Sequence, residues 1–226
     1  MPEQPGFLFT FLNARVLLAA LPEVAKGFLL TVELALLVVV CGLIAGLLAA
    51  VLRLGGRWWI NLPLIFVVDL LRAVPPLVII VLLFFGLPSL DVELSAFVTT
   101  WITLTAVLAA FAEEIFWASI RAVPTGQKEA ARSLGLGALQ TLCLVTLPQA
   151  LRIAVPPLTN RTIAIVKGTA FGSVVGLSDI LGAAQSVTSF TANPSPLILG
   201  TMAYVVLFTP IILLARWIES RFAWSH

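Results

Sequence analysis

Long apolar runs, separated by short stretches where charged residues, glycine and proline collect, make up most of this chain. The first full run covers residues 28–54, FLLTVELALLVVVCGLIAGLLAAVLRL, about 25 residues and enough for a tilted helix to cross a bilayer of about 30 Å. Arg53-Leu-Gly-Gly-Arg57 closes it with two turn-forming glycines and two arginines, and Trp58 and Trp59 follow at a position suited to the headgroup boundary. Ahead of this run, residues 7–21 are weakly amphipathic and interrupted by Asn13 and Arg15. Residues 1–26 are therefore expected to form an interfacial segment that does not cross.

The second run, residues 60–87, carries Asp69 and Arg72 and then Pro75-Pro76 in its middle, so the helix must break about halfway through the membrane. It leaves into Pro88-Ser-Leu-Asp-Val-Glu93, an acidic stretch without Lys or Arg. The third run, 96–120, ends with Glu113, Glu114 and Trp117 and leads through Arg121 to the helix-breaking Val123-Pro-Thr-Gly-Gln127 and the basic Lys128 and Arg132. The fourth is interrupted by Pro148, Arg152, Pro156-Pro157, Asn160, Arg161 and Lys167, and is placed at about 156–177 because the flanks require an outward crossing. Residues 178–196 read as an external loop with room for a short helix, and a last run, 197–215, finishes at Arg216 and Arg221. The pattern predicts an all-α integral membrane protein with about five transmembrane helices in a single transmembrane domain. The basic loops orient it N-out/C-in, with residues 121–148 forming a cytoplasmic loop. Gly42 and Gly46 form a small-xxx-small pair compatible with close helix packing. The pattern does not recur within the chain, so a symmetric pore needs two chains.

Composition agrees with this picture. Of 226 residues, 60% are apolar and 11% charged, and the mean hydropathy is +1.10, outside the range of soluble globular domains. A net charge of +2 gives no argument for nucleic acid. Cys41 and Cys143 lack CxxC spacing and His226 is the sole histidine, so no metal centre or histidine-based catalytic site is expected. With Glu3 rather than a basic region before the first apolar residues, no cleaved signal is expected, and insertion falls to the first full span.

The residues that break the apolar pattern most conspicuously are 129–148, EAARSLGLGALQTLCLVTLP. Gln127–Leu134 holds good helix formers, Glu129 stands near the positive end of the helix dipole, Arg132 stands late, and Gly135 sits where a helix would stop. Taken alone, this describes either a docking helix or an amphipathic loop that merely joins two spans.

Glu129-Ala130-Ala131, three residues, Gly135, nine residues, Val145, one residue and Leu147-Pro148 resembles the EAA motif of ABC-importer permeases, with Val145 where that motif usually has isoleucine. The lead-in Val123-Pro-Thr-Gly-Gln-Lys-Glu-Ala-Ala-Arg-Ser-Leu-Gly135 looks like the VPxGQxEAAxxLG form of polar amino-acid permeases. Asp69-Leu-Leu-Arg72-Ala-Val-Pro75 with Phe85-Gly-Leu-Pro88 is similar to their E-x-x-R-G-T-P and Y-F-G-L-P stretches, as are Asn160, Lys167-Gly-Thr169 and Trp217-Ile-Glu-Ser-Arg221. There are departures. Glu114-Ile-Phe-Trp117-Ala-Ser119 lacks the arginine of the family's E-I-x-R-G-G, Ala73-Val74 replaces Gly-Thr, and Gly168 and Ala170 replace an acidic residue and a serine.

The resemblance implies the type I importer permease fold and a coupling loop in which Gln127, Glu129, Ala130, Ala131, Arg132, Gly135, Leu147 and Pro148 meet a separate ATP-hydrolysing subunit. It implies a bacterial inner-membrane location, two ATPase subunits that bind ATP and magnesium, a second permease copy or paralogue, and an external substrate-binding protein. The cargo would be a polar amino acid, moved by alternating access. No GxxxxGK[ST] phosphate loop occurs in the chain, so no cofactor is expected in it. A methionine-type or other small-solute ABC permease, and an ion-coupled secondary carrier, stand as alternative readings.

Glu33, Asp69, Arg72, Glu114 and Lys167 are charges in or near the spans, where each should be paired or face a polar cavity. Asp69 and Arg72, three apart on one helix face, either neutralise each other or meet substrate. Lys167 either faces a cavity or snorkels to the interface. With Thr169, these residues are the candidates for the translocation pathway, and Pro75, Pro76 and Pro148 are candidate pivots.

Overall fold

The computed structural model describes residues 6–222, apart from the side chains of Leu8 and Phe222; these residues are almost entirely helical. The short helix α1 (Phe7–Phe11) is followed by α2 (Ala14–Leu54), a single helix of 41 residues. The expected boundary near residue 26 is absent. Asn13, expected to interrupt, is instead the start signal: its Oδ1 accepts from the backbone N–H of Arg15 at 3.2 Å and Val16 at 3.5 Å, as an N-cap does. Pro22 lies inside α2 without ending it, and its neighbours Ala20 and Val24 are buried against Ile180 and Ala184. Residues 14–26 are thus the first turns of the long helix.

α3 (Trp58–Ala73) and α4 (Pro76–Gly86) are separated by a true break. Val74 has φ −88° and ψ 130°, and Pro75 φ −57° and ψ 132°. A residue before proline is pushed out of the helical region, and Pro76 then serves as a first helical residue whose missing N–H costs nothing. A short 3-10 turn (Leu87–Leu90) leads to α5 (Ala96–Ala122), then α6 (Thr125–Ser133), α7 (Ala138–Thr141), a π-helical turn (Leu142–Thr146) and α8 (Leu147–Val166). α8 contains Pro156 and Pro157 and gives way to a 3-10 stretch (Lys167–Val175), so the expected span at 156–177 is regular helix only in its first half. Most of the expected loop at 178–196 is helical. α9 (Ile180–Thr191) is capped by Asp179, which accepts from Gly182 N–H at 2.9 Å, and α10 (Ser195–Phe222) extends the last expected span at both ends. Among the described residues, four helices are long and apolar enough to cross a membrane, and the broken pair α3 and α4 makes a fifth if counted as one span.

The chain divides into two compact units. The first takes the described residues up to Val38, Pro75–Leu104 and Val166–Ile212. Here α2, α9 and α10 pack around Ala20, Val24, Ile180 and Ala184. The closeness of α2 to Asp179 has a specific cause in Gly27, where a Cβ would come within 2.6 Å of the Asp179 carbonyl oxygen. Thr31 Oγ1 donates to Gly27 O at 2.8 Å and accepts from Ile180 N–H at 3.2 Å, and Tyr204 donates to Asp179 Oδ2 at 3.0 Å.

The second unit takes Val39–Val74, Thr105–Ile165 and the described residues from Leu213 on. Its core joins Ala50, Ala112, Phe116, Ala154 and Leu158 from α2, α5 and α8. Gly42 and Gly46 lie at the crossing of α2 and α5. A Cβ on Gly46 would stand 2.6 Å from Ala112 Cβ and 2.8 Å from Ala109 O, so only glycine allows these backbones to approach.

Candidate functional site

Two groupings of polar residues stand out, and both lie in the second unit. The first is the loop carried by α6. Pro124 opens the helix from an extended conformation, and Lys128 Nζ reaches back to Ile120 O, near the C-terminus of α5, at 3.5 Å. A cation suits that end of a helix. Glu129 and Ala130 are exposed whereas Ala131 is 4% exposed, so the two alanines divide their work: one lies on the open face and the other packs against the protein. Gln127 and Arg132 are also exposed.

The end of α6 is a Schellman motif. Gly135 N–H donates to Arg132 O at 2.9 Å and Leu136 N–H to Ala131 O at 3.2 Å, with Gly135 at φ +85°, a conformation that favours glycine over any other residue. Leu147 and Pro148 fall in the first turn of α8. Leu147 packs against Ile120, Val123 and Ala150, the small apolar cluster at the base of the loop, while Pro148 is exposed. Pro148 therefore sits within continuous helix and makes no break like the one at Val74-Pro75. A cavity of about 420 Å³ opens beside α6 and is lined by Lys128, Glu129 and Arg132 together with Thr125, Thr141 and Thr146.

The second grouping is a ladder of charge. Arg53 Nη1 lies 3.1 and 3.3 Å from the two carboxylate oxygens of Glu113 and 3.6 Å from Glu114 Oε2. Arg72 Nη1 lies 3.1 Å from the same Glu114 oxygen and 3.4 Å from Asp69 Oδ1. The Arg53 and Glu113 side chains are 11% and 1% exposed, whereas Asp69 is 63% exposed. The expected Asp69–Arg72 pair is thus present but is the outer rung of a larger array.

Its inner rung, Arg53–Glu113, has no signature in the sequence, where Arg53 looks like a loop charge and its partner is 60 residues away. Trp117, which stands where related motifs carry arginine, offers its ring to the Arg53 guanidinium at 3.9 Å and to Arg121 at 4.9 Å. Phe111 does the same for Arg161 at 3.9 Å and Arg72 at 5.4 Å. Aromatic faces of this kind stabilise cations most where water is scarce.

The remaining candidates belong to the first unit. Glu33 is exposed on α2. Lys167, the first residue of the 3-10 stretch, is exposed, with its Nζ 5.8 Å from the Phe208 ring centre. Thr169 is buried and donates its hydroxyl to Val166 O at 2.9 Å.

Long apolar helices, a broken span, charges paired along the spans and an exposed amphipathic helix in one loop define a helical multi-pass membrane protein of the transporter class. Residues 42–224 match the family of binding-protein-dependent transport system inner membrane components, and the chain belongs to that family of ABC-importer permeases. It is 32% identical over 199 residues to the probable glutamine ABC transporter permease of Bacillus subtilis (strain 168), covering 86% of this chain and 91% of that one. It is 30% identical over 198 residues to the octopine transport system permease of Rhizobium radiobacter, covering 84% and 77%. Among solved structures, a chain of an amino acid ABC transporter crystallised with histidines superposes with a TM-score of 0.84 at 29% identity, covering 96% of this chain and 99% of that one. The methionine transporter MetNI, at 20% identity and a TM-score of 0.70, shares the fold. The protein is a transport permease subunit of type I fold in the inner membrane, and its family works with ATPases and substrate-binding proteins.

Proposed function

We propose that this chain is the membrane-spanning subunit of an ATP-driven amino-acid importer, coupled to a separate ATPase through α6. The observation that carries the coupling is the division of α6: Glu129 and Ala130 lie on an open face, while Ala131 and the Schellman turn at Gly135 fix the helix to the rest of its unit. A short rigid helix with a charged outer face can pass a push to α5 and α8, between which it sits in the chain. Relatives named for glutamine and octopine transport support amino acids as the cargo class.

ATP and magnesium are held by the partner ATPases, two per transporter. A second permease copy or paralogue completes the pore, and an external binding protein delivers substrate. Asp69, Arg72 and Glu114 supply the half-exposed charges that a zwitterionic cargo would meet in this unit, and Glu33, Lys167 and Thr169 are the candidates in the other. Proteoliposomes holding the permease, its ATPase and its binding protein should take up amino acid only when ATP and binding protein are both supplied. Uptake by the permease alone, driven by an ion gradient, would mean a secondary carrier instead.

A further inference from the structure

We propose that the cavity beside α6 is a binding site for the phosphate of an anionic phospholipid headgroup. Lys128 and Arg132 line it from one helix, four residues apart and hence on one face. Against them stands the single carboxylate of Glu129, so the ionic lining carries one net positive charge. Lys128 directs one ammonium N–H toward the Ile120 carbonyl and has two more to offer.

The independent sign of a ligand is Thr141, which also lines the cavity. The residue is 5% exposed, and its buried hydroxyl oxygen has no hydrogen-bond partner among the described residues. A buried hydroxyl without a partner asks for an explanation, and a phosphate oxygen brought against it would be one. The π-helical turn begins at the next residue, and such turns recur at functional positions.

The level of the cavity selects the source of the phosphate. Leu54 and Ile120 close its apolar side, and they lie at the last turns of two spanning helices, α2 and α5. Trp58 and Trp59, 72% and 58% exposed, follow Leu54 within five residues, as an interfacial belt would. Basic pockets between helices at the cytoplasmic membrane surface take anionic headgroups, and an apolar wall suits the glycerol and first methylenes better than a free ion. A lipid held there would meet α6 through Lys128 and Arg132, beside the carboxylate of Glu129.

The inference rests on the cytoplasmic placement of α6 under the proposed function. Lipid retention, however, is read without transport and in discs whose two leaflets are alike, so failure of one does not imply failure of the other. The assembled transporter is placed in nanodiscs of phosphatidylcholine with and without phosphatidylglycerol, and bound lipid is counted by native mass spectrometry. Wild type should retain phosphatidylglycerol over phosphatidylcholine. Lys128→Gln and Thr141→Val should each weaken retention, the former by about fivefold, which corresponds to the ~1 kcal/mol of one basic residue near an anionic surface. Lys128→Arg and Thr141→Ser, which keep the charge and the hydroxyl, should restore it. Unchanged retention in the Lys128→Gln, Thr141→Val double variant would overturn the proposal. So would displacement of the lipid by inorganic phosphate, which would make the site one for a soluble anion.

Discussion

The inner rung of the charge ladder shows most clearly what single residues contribute. Glu113 is fully buried and its carboxylate is held by one guanidinium, Arg53, itself stacked on Trp117. Removing Arg53 leaves the buried Glu113 carboxylate uncompensated, which costs about 3–5 kcal/mol, whereas replacing both with apolar residues of similar size is often neutral. Arg53→Met should therefore lower the thermal stability of the detergent-solubilised protein sharply, and adding Glu113→Leu should recover much of the loss. A double variant as unstable as the sum of its single variants would show that the pair does not act as a unit. Gly46 gives a second case: a leucine there meets the Ala109 backbone and Ala112, and overpacking of this kind costs about 1–3 kcal/mol. Asp69–Arg72 is legible in the sequence because helical spacing alone brings the two together. Arg53–Glu113 is not, because their meeting depends on how α2 packs on α5, and the Gly42 and Gly46 pair that permits that packing is too common a pattern to announce it.

At the level of elements, the features legible in the chain are those with local causes. Pro75-Pro76 signals the break between α3 and α4 because proline restricts both itself and the residue before it. Gly135 signals the end of α6 through its need for positive φ. The start of α2 differs from expectation for an equally local reason: Asn13 serves as a cap as readily as it interrupts an apolar run, and Pro22 is not enough to stop a helix whose flanking residues are buried. The π-helical turn at Leu142–Thr146 and the 3-10 stretch at Lys167–Val175 are not legible in the apolar pattern, which does not distinguish one helix type from another over a single turn or two. The break at Val74-Pro75 falls where the chain passes from one compact unit to the other, which makes it a candidate pivot for alternating access. Replacing Pro75 and Pro76 together with alanine should lower transport at constant ATP hydrolysis by rejoining α3 and α4, while insertion is unaffected. Unchanged transport per ATP in that variant would rule the pivot out.

For the whole molecule, the apolar runs and their basic flanks make the class of the protein readable from the chain alone, because a bilayer imposes length and polarity on every span. The same charges predict N-out/C-in. A cysteine introduced at Ser133, in a chain whose Cys41 and Cys143 are replaced by serine, should react with an impermeant maleimide only from the cytoplasmic side of membrane vesicles. Labelling from the outside would invert the topology and remove α6 from reach of any ATPase. Residues 129–148 carry the resemblance on which the proposed coupling role rests, and there Glu129 lies outward, Ala131 inward and Gly135 at the turn. The most direct measurement is co-purification with the ATPase subunit and binding-protein-stimulated ATP hydrolysis in Glu129→Lys and Gly135→Trp variants that still insert in the membrane. Both variants should lose association or stimulation while keeping wild-type membrane levels, and normal coupling and transport in both would contradict a coupling role for α6.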